Sequence, residues 1–208
     1  MIKQAALLIS WVFQPILMPF YGTLLLFNLS YYGFNLLQPS VVYFVLVSTF
    51  LFTVALPGSM ILMLKKMNFI SSIHLNRRSE RKYPIIFTIL FHVANYYFLT
   101  KIHLPFIYYV FLLSGIFSLI VTFLVSYFWK ISMHTTGIGG LCGVFFACLL
   151  IWGIDTRLLI GSLFLMAGMI GSARLILNAH TSGQVYAGFL AGFVPQILPL
   201  FLFMFGRK

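Results

Sequence analysis

Residues 171–192 read GSARLILNAHTSGQVYAGFLAG, and they join the end of one apolar segment to the start of the next. A basic residue and an imidazole, Arg174 and His180, stand in this junction with five residues between them. A lone arginine at a span end reaches for headgroups; an arginine paired with a histidine there points to a site. A second junction, WKISMHTTGIGG at 129–140, carries Lys130, Ser132 and His134 in the same relation to two other apolar segments. With both junctions at one membrane face, their polar side chains converge on one pocket.

The chain has 208 residues, of which 62% are hydrophobic and 7% charged. A soluble chain of this size needs far more polar surface, so the expected fold class is all-α, a polytopic transmembrane helical bundle. Residues 1–208 read as a single integral membrane domain. Thirteen Lys and Arg stand against two carboxylates, Glu80 and Asp155. In short loops that excess orients the chain and meets anionic headgroups, which makes the lipid bilayer the partner and argues against nucleic acid. So few carboxylates also argue against a dicarboxylate metal centre or an acidic proton relay, and no metal or cofactor is expected. Cys142 and Cys148, inside an apolar run, read as packing residues.

Apolar segments run at about 5–29, 41–64, 84–100, 104–128, 137–153, 158–177 and 184–205. The expected count is seven spans, or six if the first segment, interrupted by Pro15 and Pro19, does not cross. That segment has no small-residue cleavage site and reads as a retained span. A basic loop at 66–83 holds His74, Arg77, Arg78, Glu80, Arg81 and Lys82. Alternation places this loop, 129–136 and 178–183 on one face with Lys3, Lys65 and Lys66, and places Lys101, Arg157, Arg207 and Lys208 opposite. The charge count assigns the motif face to the cytoplasm. His92, inside the third segment, and His103, in a turn, read as structural.

A phosphate ester at the membrane surface requires cations for its oxygens, a nucleophile, and an acid for the leaving group. Lys130 and Arg174 are the candidate cations, and the planar fork of Arg174 binds two oxygens at once. Ser132 offers a hydroxyl. Gly137, with Thr136, Gly139 and Gly140, precedes or opens the fifth helix, whose free N–H groups would face a bound anion. His134 and His180 divide the nucleophile and acid roles.

The pattern resembles the type 2 phosphatidic acid phosphatase superfamily. That family's second motif reads P-S-G-H and its third S-R-x5-H-x3-D. Ser132-Met133-His134 is similar to the second, and Arg174 with His180 to the third, with Ala173 at the Ser and Gln184 at the Asp. The resemblance covers residues 104–206, a phosphatase-like core with two spans between the motifs. It implies a metal-independent membrane phosphatase acting on a lipid phosphate or prenyl pyrophosphate, with His180 attacking phosphorus and His134 protonating the departing alcohol. Arg174, Lys130 and Ser132 would hold the phosphoryl oxygens, and the setting would be a bacterial inner membrane. The family works on the periplasmic or lumenal side, opposite to the face given by the charge count.

The family's first motif, K-x6-R-P, finds only RSERKYP at 78–84, with its basic residues and proline at another spacing. Lys130 is the first candidate for the missing cation, and Arg78, Arg81 or Lys82 the second. Gln184 can orient His180 but brings no negative charge, so the nucleophile should be weaker; Glu80 is the carboxylate that could compensate. Two other readings fit the same residues: a lipid phosphotransferase, and a non-catalytic protein that binds anionic lipid or a partner.

Overall fold

The computed structural model describes residues 1–73, 75 and 77–205, with the side chains of all but 32 and 199–205. His74, Arg207 and Lys208 lie outside the described residues. The described chain is helical throughout: α1 (Ile2–Val12), α2 (Met18–Phe27), α3 (Tyr32–Asn35), α4 (Pro39–Phe50), α5 (Leu56–Lys66), α6 (Lys82–Leu99), α7 (Phe106–Phe128), α8 (Met133–Trp152), α9 (Arg157–Ile176) and α10 (Ser182–Phe205). Five helical runs, Ile2–Phe27, Pro39–Lys66, Phe106–Phe128, Met133–Trp152 and Arg157–Ile176, are long and apolar enough to cross a membrane. Side chains such as Leu158, Phe128 and Leu165 stand out from the bundle, as lipid-facing groups do. The chain is an integral membrane protein.

Prolines interrupt the first segment where the sequence places them. α1 stops at Val12, Pro15–Leu17 forms a single 3-10 turn, and α2 restarts with Pro19 in its first turn. Pro57 removes the donor that would bond Thr53 O in an α-helix, and the π-helical stretch Leu51–Ala55 carries the chain from α4 into α5 there. Pro84, by contrast, sits in the first turn of α6, where no donor is needed.

Helix α8 is the axis of the bundle. Of its most apolar stretch 61% is buried, against 22–39% in the other four membrane-length runs. Its neighbour α10 touches it backbone to backbone. A Cβ added at Gly139 would overlap Phe189 O, and one at Gly143 would lie 2.6 Å from Phe193 O. On α10, a Cβ at Gly188 would overlap Thr135 Oγ1, and one at Gly192 the Thr136 carbonyl oxygen. Each helix thus presents a G-x3-G pair to the other, and small residues let membrane helices approach this closely. Elsewhere hydroxyls tie the helices: Tyr108 OH lies 3.1 Å from Thr23 Oγ1 and 3.0 Å from Thr49 Oγ1, and Ser48 Oγ donates to Asn95 Oδ1 at 2.8 Å. Both cysteines are free and buried, as packing residues should be.

The contact predicts unequal tolerance among helix glycines. Gly192→Ala drives a methyl into the Thr136 carbonyl and should cost about 1–3 kcal/mol, seen as a lower thermal midpoint in detergent. Gly168→Ala, with open space where its methyl would go, should hold or raise the midpoint through helix propensity.

Candidate active site

The third motif is shaped by its helix cap. After α9 the chain turns through Asn178, whose φ of 50° is left-handed, and Ala179 N–H donates to Arg174 O at 3.1 Å. Thr181 precedes α10, and Gln184, at its third residue, reaches back so that Thr181 N–H donates to Gln184 Oε1 at 3.3 Å. This is the side-chain half of a capping box. It fixes the amide: the atom facing an N–H must be the oxygen. His180 Nδ1 lies 3.1 Å from that same oxygen, so Nδ1 carries the proton and Nε2 presents a free lone pair. Gln184 therefore orients the imidazole as the sequence suggested, without adding charge.

The second motif is joined to the third through the main chain. Ser132 N–H donates to Gln184 O at 3.1 Å. Ser132 is fully buried and caps α8, its Oγ accepting from Thr135 N–H while Thr135 and Thr136 hydroxyls donate to its carbonyl at 3.0 Å. Its visible work is to brace the motif. That cap starts the helix at Met133, four residues earlier than apolar patterning indicated, so Gly137 lies a full turn inside α8. Gly137 faces the first segment, where a Cβ would meet Met18 Cγ at 2.6 Å.

His134, the second residue of α8, and Arg174 both end on Ser10 of α1. His134 Nε2 lies 3.1 Å from Ser10 O, and Arg174 Nη1 donates to Ser10 Oγ at 3.0 Å. Since a carbonyl only accepts, His134 Nε2 is the protonated nitrogen. Arg174 Nε is buried with no hydrogen-bond partner. Ser10 is 6% exposed and was not among the residues sequence reasoning selected. Its one signal is a lone hydroxyl four residues from Ala6 on the same buried face of a helix whose other polar residues, Lys3 and Gln4, lie in its first turn.

Among the basic residues of the 66–83 loop, Arg81 enters the site. It is 4% exposed and donates from Nε to Leu75 O at 3.0 Å and from Nη1 to Ile131 O at 2.9 Å, one residue before Ser132. Burial, and then Arg174, lower its pKa to about 10. Arg78 turns to Phe128 O, and Lys82 lies 4.5 Å over the Tyr127 ring. Glu80 accepts from Ser71 Oγ at 3.1 Å, and the group that meets His180 is Gln184. His92, read as structural, is buried in α6 with Nδ1 2.8 Å from Thr88 O.

The result is a cluster of positive charge. Burial lowers the pKa of Lys130, with Arg81 and Arg174 adding to the effect. His180 is pushed down to about 4 by burial first and then by Arg81; its bond to Gln184 opposes this, and Arg174 and Lys130 add to it. The other carboxylate, Asp155, is paired at 2.8 Å with Arg157 in the turn between α8 and α9, at the far end of α8. Among the described residues, no three His, Cys, Asp or Glu side chains gather where they could hold a metal ion. No family model, curated protein or solved structure matches this chain.

His180 should therefore be neutral at pH 7 and take up a proton only near pH 4, as read from the imidazole resonances of labelled protein in detergent. Removing the neighbouring charge in Arg81→Met should raise that value part of the way towards 6.5. Because the native ring titrates below an unfolded one, the unfolded state binds more protons between about pH 6.5 and 4, and stability should fall as pH drops through that window.

Proposed function

We propose that the chain is a membrane phosphatase that hydrolyses a lipid phosphate or prenyl pyrophosphate through a phosphohistidine. The observation that carries this reading is the meeting of Arg81, Lys130 and Arg174 around two imidazoles with no carboxylate to neutralise them. Cations held this way, Arg81 buried and Arg174 and Lys130 partly so, call for an anion, and a phosphoryl group supplies the charge and the oxygens. An anionic ligand alone needs no aligned nucleophile, yet His180 has its Nδ1 proton fixed and its Nε2 left bare.

In the proposed reaction His180 Nε2 attacks phosphorus as the bond to the lipid oxygen breaks. The departing oxygen takes a proton from His134, whose Nε2 is anchored on Ser10, so that Nδ1 would be the nitrogen that donates to the leaving group. The dianionic substrate offsets the three cations, which favours the imidazolium that His134 must be before it donates. Water, deprotonated by His134, then attacks the phosphohistidine, and phosphate leaves as His180 is restored. Arg174 would exchange its bond to Ser10 for the phosphoryl oxygens and bring its unpartnered Nε into the same fork.

The likeness of Ser132-Met133-His134 and of Arg174 with His180 to the type 2 phosphatidic acid phosphatases supports the reading. It is completed by a bundle of seven spans in a bacterial inner membrane, with α6 and α10 crossing beside the five membrane-length runs. A non-catalytic anion-binding protein is the second reading, favoured by the uncharged Gln184 behind His180. Phosphate release from a panel of lipid phosphates and prenyl pyrophosphates should be measured on the purified protein. The proposal expects release from at least one member, loss in His180→Ala, and a gain of about tenfold or more in Gln184→Asp, which adds the missing charge. Folded protein that binds these lipids but releases nothing, even as Gln184→Asp, would establish the second reading.

A further inference from the structure

Helix α1 comes well before residues 104–206, which carry both motifs, yet one of its residues touches each of them. The reason begins at Pro15. A residue ahead of proline is driven out of helical geometry, and Gln14 is extended, with φ −59° and ψ 133°. The helix has already loosened at Phe13, whose ψ is 45°, and it closes on the bond from Phe13 N–H to Ile9 O at 3.0 Å. In a longer helix the next bond would run from Gln14 N–H to Ser10 O. The turn into Pro15 carries that donor away, and Ser10 O becomes one of the carbonyls that a helix end leaves for other partners. It takes His134 Nε2, at 3.1 Å.

The hydroxyl of the same residue is engaged as well. Ser10 Oγ accepts from Arg174 Nη1 at 3.0 Å, and Arg174 stands in the last turn of α9. Ala6 and Ser10, one turn apart, are the buried residues of α1, which packs on α9 while Leu8 and Trp11 stand exposed. Small side chains on that face let the two helices approach closely enough for Ser10 to reach the arginine.

Resting on the phosphatase reading above, we propose that the end of α1 positions the site: Ser10 O fixes the ring of His134 by its Nε2 proton, and Ser10 Oγ seats Arg174 until the phosphoryl group takes its place. The cation for the phosphoryl oxygens and the acid for the leaving oxygen are thus spaced by the two oxygens of one residue. An imidazole held at Nε2 keeps that proton through both halves of the reaction, so Nδ1 alone gives and takes the catalytic one. An arginine near a span end otherwise extends to the headgroups, and the hydroxyl keeps this one at the site. Ser10 acts through these two side chains, as a positioning residue.

Two variants on this turn test the proposal, with the lipid phosphate that the wild-type protein hydrolyses fastest. Pro15→Ala permits α1 to continue, so that Gln14 N–H competes with His134 for Ser10 O; kcat should fall about tenfold or more, with a smaller change in KM. Ser10→Ala keeps the carbonyl and removes the seat of Arg174; KM should rise about threefold or more, with a smaller change in kcat, and Ser10→Thr should recover it. In labelled wild-type protein the His134 Nε2 proton, held by a carbonyl, should give a resolved resonance that exchanges slowly with water, and Pro15→Ala should lose it. A wild-type ring protonated on Nδ1 instead would overturn the proposal whether or not either variant folds. So would a KM that falls in Ser10→Ala, or a lower thermal midpoint with kcat and KM unmoved or moved together. The two readings fail separately. Hydrolysis with neither constant shifted as stated removes the positioning role alone. Without hydrolysis of any lipid phosphate the phosphatase falls, and the anchor is still read from the wild-type resonance and from binding of inorganic phosphate, which Ser10→Ala should weaken about threefold or more.

Discussion

The backbone contact between α8 and α10 sets everything else in this molecule. Gly139 and Gly143 on one helix and Gly188 and Gly192 on the other leave no room for a Cβ, so the two main chains meet directly. Helices held that close keep their first turns in register, and Ser132 N–H can then reach Gln184 O. The two motifs, nearly fifty residues apart in the chain, become one rigid unit before any side chain is considered. The caps complete it, Ser132 starting α8 and Gln184 reaching back at the start of α10.

Electrostatics supplies the second constraint. Arg81 is buried among backbone carbonyls, and Arg174 shares a hydroxyl, while one carboxylate is engaged by Ser71 and the other lies at the far end of α8 with Arg157. Carbonyl and hydroxyl dipoles solvate these cations without cancelling their charge. The field that remains lowers the proton affinity of His180 and keeps its free nitrogen available, and it awaits a ligand of opposite sign. The same arrangement explains how a glutamine can stand behind the nucleophile: orientation comes from the capping box, and the neutral state comes from burial and the cations.

Much of the fold was legible because membrane helices announce themselves through apolar length and through where proline and charge fall. The break at Pro15, the π-helical stretch before Pro57 and the place of Pro84 in the first turn of α6 follow from a missing donor. The site was legible in part. Arg174, His180, Lys130 and His134 come together, while the capping by Ser132 and the packing of Gly137 against Met18 were not legible, for one shared reason. A serine before a helix can cap it or bind a ligand, and apolar patterning, which began the helix too late, concealed the cap. Arg81 ranked behind Lys130 because sequence spacing does not tell which of several adjacent cations is buried. Ser10 offered only a lone hydroxyl as a signal, since its role depends on α1 packing against α9, a pairing no local pattern encodes.

The central claim is that His180 becomes covalently phosphorylated. The direct test is to mix the protein with lipid phosphate carrying a radiolabelled phosphoryl group, quench in alkali, which preserves phosphohistidine, and map the label by peptide. The account predicts label on the peptide containing His180, discharged by water during a chase and absent from His180→Ala. Phosphate released by wild-type protein with no label trapped at any time, or with label on a different residue, would contradict it.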